Sequence, residues 1–414
     1  MKTSRLLNLF ILSIFFTACS DETQQASNDE MDDASTIHQS LFTLDSHVDI
    51  SREYMREPAF DPGLDTAMKV DFKKMRAGGL DAVFFVVYVG QKKRDEAGYL
   101  AAYQAAKKKF NAIHMMTDLK YQNQIELARS PEDVKSIIAN HKLVAMIGVE
   151  NGFTLGKDIS KVDEFYKLGA SYIGLTHSGH NDICDSSGIS QSLGDKTEEH
   201  SGLSDFGRQV VKRMNQLGMM IDVSHSADKC VEQVLEISTA PIIASHSGTR
   251  ALLDHPRNLT DELIKAIAAK GGVVQLVGYS GFIKKDPERN KAYDAMKKAI
   301  AVVYKAERFE YKFHEHTQEF ADGMKQLNID YPLASVKQFV DQIEHAINIA
   351  GIDHVGISSD FDGGGELNGW ADASESENLT RELLSRGYSK ADLQKIWGGN
   401  LLRVWGDVIA LKQQ

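Results

Sequence analysis

The stretches Met219-Met-Ile-Asp222-Val223-Ser-His225 and Pro241-Ile-Ile-Ala244-Ser-His246 are short apolar runs, each ending in a histidine. The same arrangement recurs along the chain. Phe42–Leu44 leads to His47-Val48-Asp49, Leu143–Val149 ends at Glu150, Tyr172–Leu175 at His177, and Val355–Ile357 leads to Asp360. Leu80–Tyr88 and Val273–Val277, the latter followed by Tyr279, bring the set to eight. Eight β-type runs separated by helical patterns predict an α/β fold, a (β/α)₈ TIM-type barrel, in which the strand tails point at one face where chemistry is done.

The helical stretches are Leu100–Met116, Phe206–Leu217, Asp261–Lys270 and Val336–Ala350, with apolar residues at threes and fours, as in Val210, Val211, Met214 and Leu217. Ser204, Thr260 and Ser389 supply start signals, and Gly218 and Gly351 supply stops just before strands. One connection is anomalous. About seventy residues separate Tyr279 from the last strand, far above the usual loop length. Their charged, aromatic part, Asp286–Met324, has helical spacing at Met296, Ile300, Val303 and Tyr304 and reads as a helical insertion after strand 7, over or beside the site, as a lid or a dimer contact.

Composition is ordinary for a globular chain: 414 residues, 42% hydrophobic, 25% charged, formal net charge −11. The acidity argues against nucleic-acid binding, which needs a basic surface. The chain opens with Lys2 and Arg5, then the apolar Leu6–Phe16, too short to span a membrane, then Phe16-Thr17-Ala18-Cys19. This is similar to a bacterial lipobox, with Phe16 where the pattern prefers Leu. The expectation is a lipoprotein-type signal peptide over 1–18 and a lipidated Cys19; a plain secretory signal is the alternative. Ser20 suggests outer-membrane sorting. Residues 19–40 carry Asp21, Glu22, Asp29, Glu30, Asp32 and Asp33 without Lys or Arg and read as a flexible tether. Of the other cysteines, Cys184 and Cys230 both follow strand tails; a disulfide and two separate buried thiols are both open.

The tail residues have the chemistry of a metal site. His47 and Asp49 lie on the same side of an extended segment, so both reach one ion. His225 and His246 end consecutive strands, and neutral imidazole suits zinc. Glu150 directly after a buried strand is costly unless paired or metal-bound, and its two oxygens can bridge two ions about 3.5–4 Å apart. Asp360, before Phe361-Asp362-Gly-Gly-Gly, suits a ligand or a base; Asp362, past the tail, reads as loop structure. A zinc-lowered water pKa suits attack on an amide, ester, lactone or phosphoester. No P-loop, dinucleotide fingerprint or Gly-x-Ser-x-Gly elbow is present.

From about Leu41 to Trp405 the series resembles the membrane (renal) dipeptidase family, zinc peptidases of the amidohydrolase superfamily. The matching segments are Asp45-Ser-His47-Val-Asp49, Gly148-Val-Glu150-Asn-Gly, Leu175-Thr-His177, Asp222-Val-Ser-His225, Ala244-Ser-His246-Ser, Pro256-Arg257-Asn-Leu-Thr-Asp261, Ser359-Asp360-Phe-Asp-Gly and Gly398-Gly-Asn-Leu-Leu-Arg403-Val. The resemblance implies two zinc ions, one on His47 and Asp49, the other on His225 and His246, with Glu150 bridging. It implies that His177 contacts the substrate and the oxyanion, that Arg257 binds the substrate's C-terminal carboxylate, and that Tyr279 lies near that carboxylate and binds substrate. It implies that Asp360 deprotonates a metal-bridging hydroxide precursor, contacts substrate and passes the proton to the leaving amine. The implied activity is hydrolysis of dipeptides, with tolerance of a D-residue at the C-terminal position, by a homodimer. The loop Ser178–Cys184 and the insertion depart from the family pattern, so side-chain preference is left to the loops.

The expected organisation is therefore signal peptide 1–18, tether 19–40, and a dipeptidase barrel 41–414 with its insertion at 285–325. Export to a bacterial envelope follows, with membrane attachment through the lipid only and small dipeptides as partners. A related amidohydrolase acting on another amide, lactone or ester is the first alternative, a non-catalytic binding lipoprotein the second. His180 and His354 read as structural, and Trp370, Trp397 and Trp405 as packing residues.

Overall fold

A computed structural model describes residues 33–310, 314 and 317–412. The signal peptide, Cys19 and most of the expected tether lie outside these residues. Eight parallel strands form the barrel: β1 Leu44–Asp49, β2 Ala82–Tyr88, β3 Leu143–Glu150, β4 Ala170–Gly174, β5 Met220–Asp222, β6 Ile243–Thr249, β7 Val273–Val277 and β8 Val355–Ser358. Each pairs with the next in sequence. β1 and β8 close the ring through the Asp49 N–H to Phe361 O and Asp360 N–H to His47 O hydrogen bonds, 2.9 and 3.1 Å. Short strands Ile125–Leu127 and Asn258–Leu259 add to β3 and β6.

Alternation along the strands builds two apolar layers. Ala82, Phe84 and Val86 point into the barrel with Leu44, Val144, Met146, Tyr172 and Ile243. Val83, Phe85 and Val87 point outward to the helices. The C-terminal helix Asn400–Ala410 plugs the bottom, where Leu401, Val404 and Trp405 join the inner layer. Asn400 ties it on by donating to the carbonyls of Ile352 and Val355. Trp397 and Trp405 are thus packing residues of the closed end.

One irregularity decides the site. The β1–β2 register runs from Asp45 opposite Val83 to Val48 opposite Phe85, so β1 carries one extra residue. This bulge resets the alternation. Val48 joins the outer layer, and His47 and Asp49 turn inward. Without it, His47 would share the outward face of Asp45.

The helices start and stop on the expected signals. Ser204 accepts from the Gly207 N–H, Thr260 from the Leu263 N–H, and Ser389 with Asp392 forms a capping box. Gly218 ends its helix at φ 72°, a conformation glycine adopts freely. The insertion is a helix pair, Pro287–Val303 and Gln318–Asp330, so it runs past Met324. Arg289 joins the two by donating to Leu327 O and Asn328 Oδ1. Asn328 in turn donates to Glu366 beyond β8, which sets the pair beside the β7–β8 side of the mouth.

One expectation changes and one open alternative is settled. Residues 33–39 are helical, so the expected tether does not reach residue 40. His38 is buried against Trp397 and hydrogen-bonded to Thr380 Oγ1 and Gly78 O, which anchors this helix to the body. Cys184 and Cys230 form a disulfide. It joins the long loop after β4 to the helix Asp228–Ile237 after β5. No described helix is long and apolar enough to cross a membrane.

Closing a loop of 46 residues restrains the unfolded chain by about 4 kcal/mol in the loop-entropy picture. The Cys184→Ser/Cys230→Ser double variant is expected to lose about 2–4 kcal/mol in denaturant unfolding. An unchanged midpoint would show that the bond adds nothing to stability.

Candidate active site

Glu150, the last residue of β3, lies at the centre of the mouth and is buried. Its Oε1 is 3.0 Å from His225 Nε2 and 3.4 Å from His246 Nε2, and its Oε2 is 3.5 Å from His47 Nε2. The two oxygens thus face two different imidazole groups. His47, Asp49 and Glu150 offer ligand atoms within 4.8 Å of one another; so do Glu150, His225 and His246, and so do His47, His246 and Asp360. Residues 47, 49, 150, 225, 246 and 360, far apart in sequence, converge.

Their orientation comes from buried neighbours. Tyr172 crosses the barrel interior from β4, and its hydroxyl donates to Ser46 O at 3.1 Å. That hydroxyl lies 3.1 Å from His47 Nδ1, so His47 Nδ1–H donates to it and Nε2 is directed at Glu150. The crossing needs Gly148, where a Cβ would lie 2.1 Å from the Tyr172 ring. Asp222 does the equivalent for the histidine pair. Its Oδ1 accepts from the N–H of Ser224 and Ser245, and its Oδ2 accepts from Ser245 Oγ at 2.7 Å. Ser245 Oγ is then left to accept from His246 Nδ1 at 2.8 Å, directing His246 Nε2 to Glu150. β5 and β6 share a single register pair, Asp222 with Ile243, so the Asp222 side chain supplies much of their connection.

Strained backbone marks the same rim. His225, Asp360 and Asn151 are non-glycine residues with φ of 68°, 58° and 77°. Such conformations persist only where the surroundings over-determine them. The Asp49 and Asp360 carboxylates converge at Gly363, where a Cβ would lie 2.5 Å from Asp49 Oδ2 and 2.6 Å from Asp360 Oδ1.

Charge follows burial. Burial would raise Glu150, but the His47, His177, His225 and His246 side chains that face it hold it well below the usual carboxylate range. Burial pushes His225 and His246 well below the usual histidine range, so both are neutral, the ligand form. Burial also lowers His47, but Glu150, Asp49 and Asp360 outweigh it and hold His47 up to about 9. Burial raises Asp360 to about 8; Asp49 and Glu150 add to the rise and His47 opposes it. His47 Nε2 and Asp49 Oδ1 are buried without a hydrogen-bond partner, as expected of donors that await a cation. The donor set, imidazole and carboxylate with an open side, fits divalent zinc-type metals.

The remaining tail residues surround this centre. His177 packs at a tilt against the His225 and Tyr88 rings, its Nε2 3.9 Å from Glu150 and its side chain 24% exposed. Ser186 Oγ donates to its carbonyl. Arg257 is buried beside the His246 carbonyl, to which its Nη2 donates at 3.1 Å, while its Nε has no partner. Burial lowers it to about 10, still charged at neutral pH. Phe282, unremarked in the sequence, underlies both Arg257 at 5.3 Å and Tyr279 at 4.5 Å. His180 is held by Ser186 N–H and Lys196 O, His354 by Gly272 O, and Asp362 accepts from the Lys69 N–H; all three are loop or end contacts. Tyr172 and Ser245 also escaped the sequence reading, because a supporting residue inside a strand looks like any other core position.

Known proteins resemble this chain over most of its length. The sequence profile described as membrane dipeptidase (Peptidase family M19) matches residues 31–414. The probable dipeptidase PvdM from Pseudomonas aeruginosa has a similar structure, with TM-score 0.80 and 32% identity, covering 93% of this chain and 99% of that one. Dipeptidase tcpJ of Claviceps purpurea is 28% identical over 86% of this chain and 73% of its own length. Human Dipeptidase 3 is 30% identical over 82% of this chain, which spans only 59% of that protein. The chain belongs to the membrane dipeptidase family, Peptidase family M19, and is a metallopeptidase of that family.

Proposed function

We propose that the protein is a dinuclear zinc dipeptidase that accepts a D-residue at the C-terminal position. One observation carries this: the two oxygens of Glu150 each face a separate imidazole group, His47 on one side and His225 with His246 on the other. In this reading His47 and Asp49 would hold one ion and His225 and His246 the second, with Glu150 available to both. The metals supply Lewis acidity toward the scissile carbonyl and toward the attacking water.

The chain does the rest. Arg257, buried and with a free Nε, takes the substrate's C-terminal carboxylate in its guanidinium fork. Phe282 and Tyr279 wall this end. His177, kept neutral by burial, donates a hydrogen bond to the carbonyl oxygen as it gains charge. Asp360 takes a proton from the water as its oxygen bonds to the carbonyl carbon. It delivers that proton to the amide nitrogen as the C–N bond breaks. Tolerance of a D-residue rests on the family resemblance.

Purified protein is expected to carry about two zinc ions per chain and to cleave a panel of L,L- and L,D-dipeptides. Chelation should abolish cleavage and zinc should restore it. A fully metallated protein inert on the whole panel would overturn the assignment.

Zinc uptake is expected to release protons. His47 is protonated below about 9 in the metal-free chain, whereas a ligand imidazole must be neutral. Affinity should therefore climb as pH rises toward that value. Calorimetry at pH 7 in buffers of different ionisation enthalpy should show about one or more protons leaving per chain. Release of none would remove His47 from the ligand set.

Tyr172→Phe removes the acceptor of His47 Nδ1. Its zinc affinity should fall about tenfold to a hundredfold, with the fold retained by circular dichroism. Unchanged affinity would mean that Tyr172 serves packing alone.

The reading extends to an exported, Cys19-lipidated homodimer. The Cys184–Cys230 disulfide supports an oxidising compartment. Labelled palmitate should enter the wild type and not Cys19→Ala, and the soluble body should sediment at twice the chain mass. Equal labelling of both, or a monomeric body, would remove the corresponding part.

A further inference from the structure

Barrel order places the tail of β2 across the mouth from that of β6. Arg257 follows β6, and Tyr88 ends β2. Over the Tyr88 ring, 5.6 Å from its centre, lies the ammonium of Lys109, carried by the helix Glu96–His114. The His177 ring is also a neighbour of Tyr88, 4.6 Å away. Lys109 thus reaches the mouth from outside the barrel.

Lys109 is half-buried, and among the described residues it has neither an ion pair nor a hydrogen bond. Lysine is seldom buried without a partner. The charges it senses are Asp49 and Glu150, which attract it, and Arg52, which repels it. Arg52, three positions after Asp49, is exposed and also lacks an ion pair among the described residues. Two neighbouring cations without a counter-charge are unfavourable. Asp49 and Glu150 cannot serve as that counter-charge once they hold metal. An anionic group on the substrate would supply the missing counter-charge.

A dipeptide anchored by its carboxylate at Arg257 and by its carbonyl at the centre points its first residue toward β2. Its amino group is attracted by Asp360, on the β8 side. The first side chain is then the part that meets Tyr88 and Lys109. We propose that Lys109, supported by Arg52, forms a cationic subsite for the side-chain carboxylate of an acidic N-terminal residue, making Glu-X and Asp-X dipeptides the preferred substrates. This rests on the dipeptidase reading above.

The test compares kcat/KM for Glu-Ala and its neutral isostere Gln-Ala in wild type, Lys109→Met and Lys109→Glu. Wild type should favour Glu-Ala about tenfold, mainly through KM. The ratio should collapse to near unity in Lys109→Met, and Lys109→Glu should favour Lys-Ala over Glu-Ala. Losses common to both substrates cancel in the ratio, so a general defect cannot imitate the effect. Turnover of Gln-Ala without preference for Glu-Ala, or a ratio unmoved by Lys109→Met, would sink the subsite while leaving the dipeptidase. No turnover of either peptide, or of any in the wider panel, would sink both.

Discussion

A carboxylate buried at the centre of a barrel mouth is tolerable only if cationic or donor groups meet it on every side. Glu150 imposes that condition on this protein. It ends a strand whose eight residues are all buried. The groups that answer it come from four other strand tails: His47, His177, His225 and His246. Each must arrive at a distance of 3–4 Å with its Nε2 facing inward. Much of the irregular geometry of the upper barrel serves that requirement.

The supports are specific. A bulge in β1 turns His47 inward. The Tyr172 hydroxyl and the Asp222–Ser245 pair fix the far nitrogens of His47 and His246. Left-handed backbone at His225 and Asp360 re-aims the chain just past the strands. These features are individually unfavourable or neutral for folding. Together they hold a set of donors closer than an unliganded protein would choose, which is the geometry of a metal centre prepared in advance.

The fold was legible because its evidence is local. Apolar runs such as Leu143–Val149 and Val273–Val277, separated by capped helices, are visible in any window of the chain. The residues at the site were legible for a related reason: a His, Asp or Glu at the end of a buried run is out of place unless it has work there. The insertion reads as helical over Asp286–Met324, but its second helix ends only at Asp330. In the structure Gly323 packs against Met296 and the helix continues. The tether was overextended because composition does not show that His38 has a buried partner in Thr380.

The sequence by itself determined the eight-stranded barrel and the identity of the polar residues at its mouth, since periodicity and burial cost act over a few neighbouring residues. Only the tertiary structure decided which of those residues meet and what supports them. Tyr172 with His47, Asp222 with Ser245, Cys184 with Cys230, and Lys109 over Tyr88 are contacts between distant segments. Their partners are chosen by strand order, a one-residue bulge and the crossing of a ring through the core. Those are properties of the closed barrel, and no local window of the chain contains them.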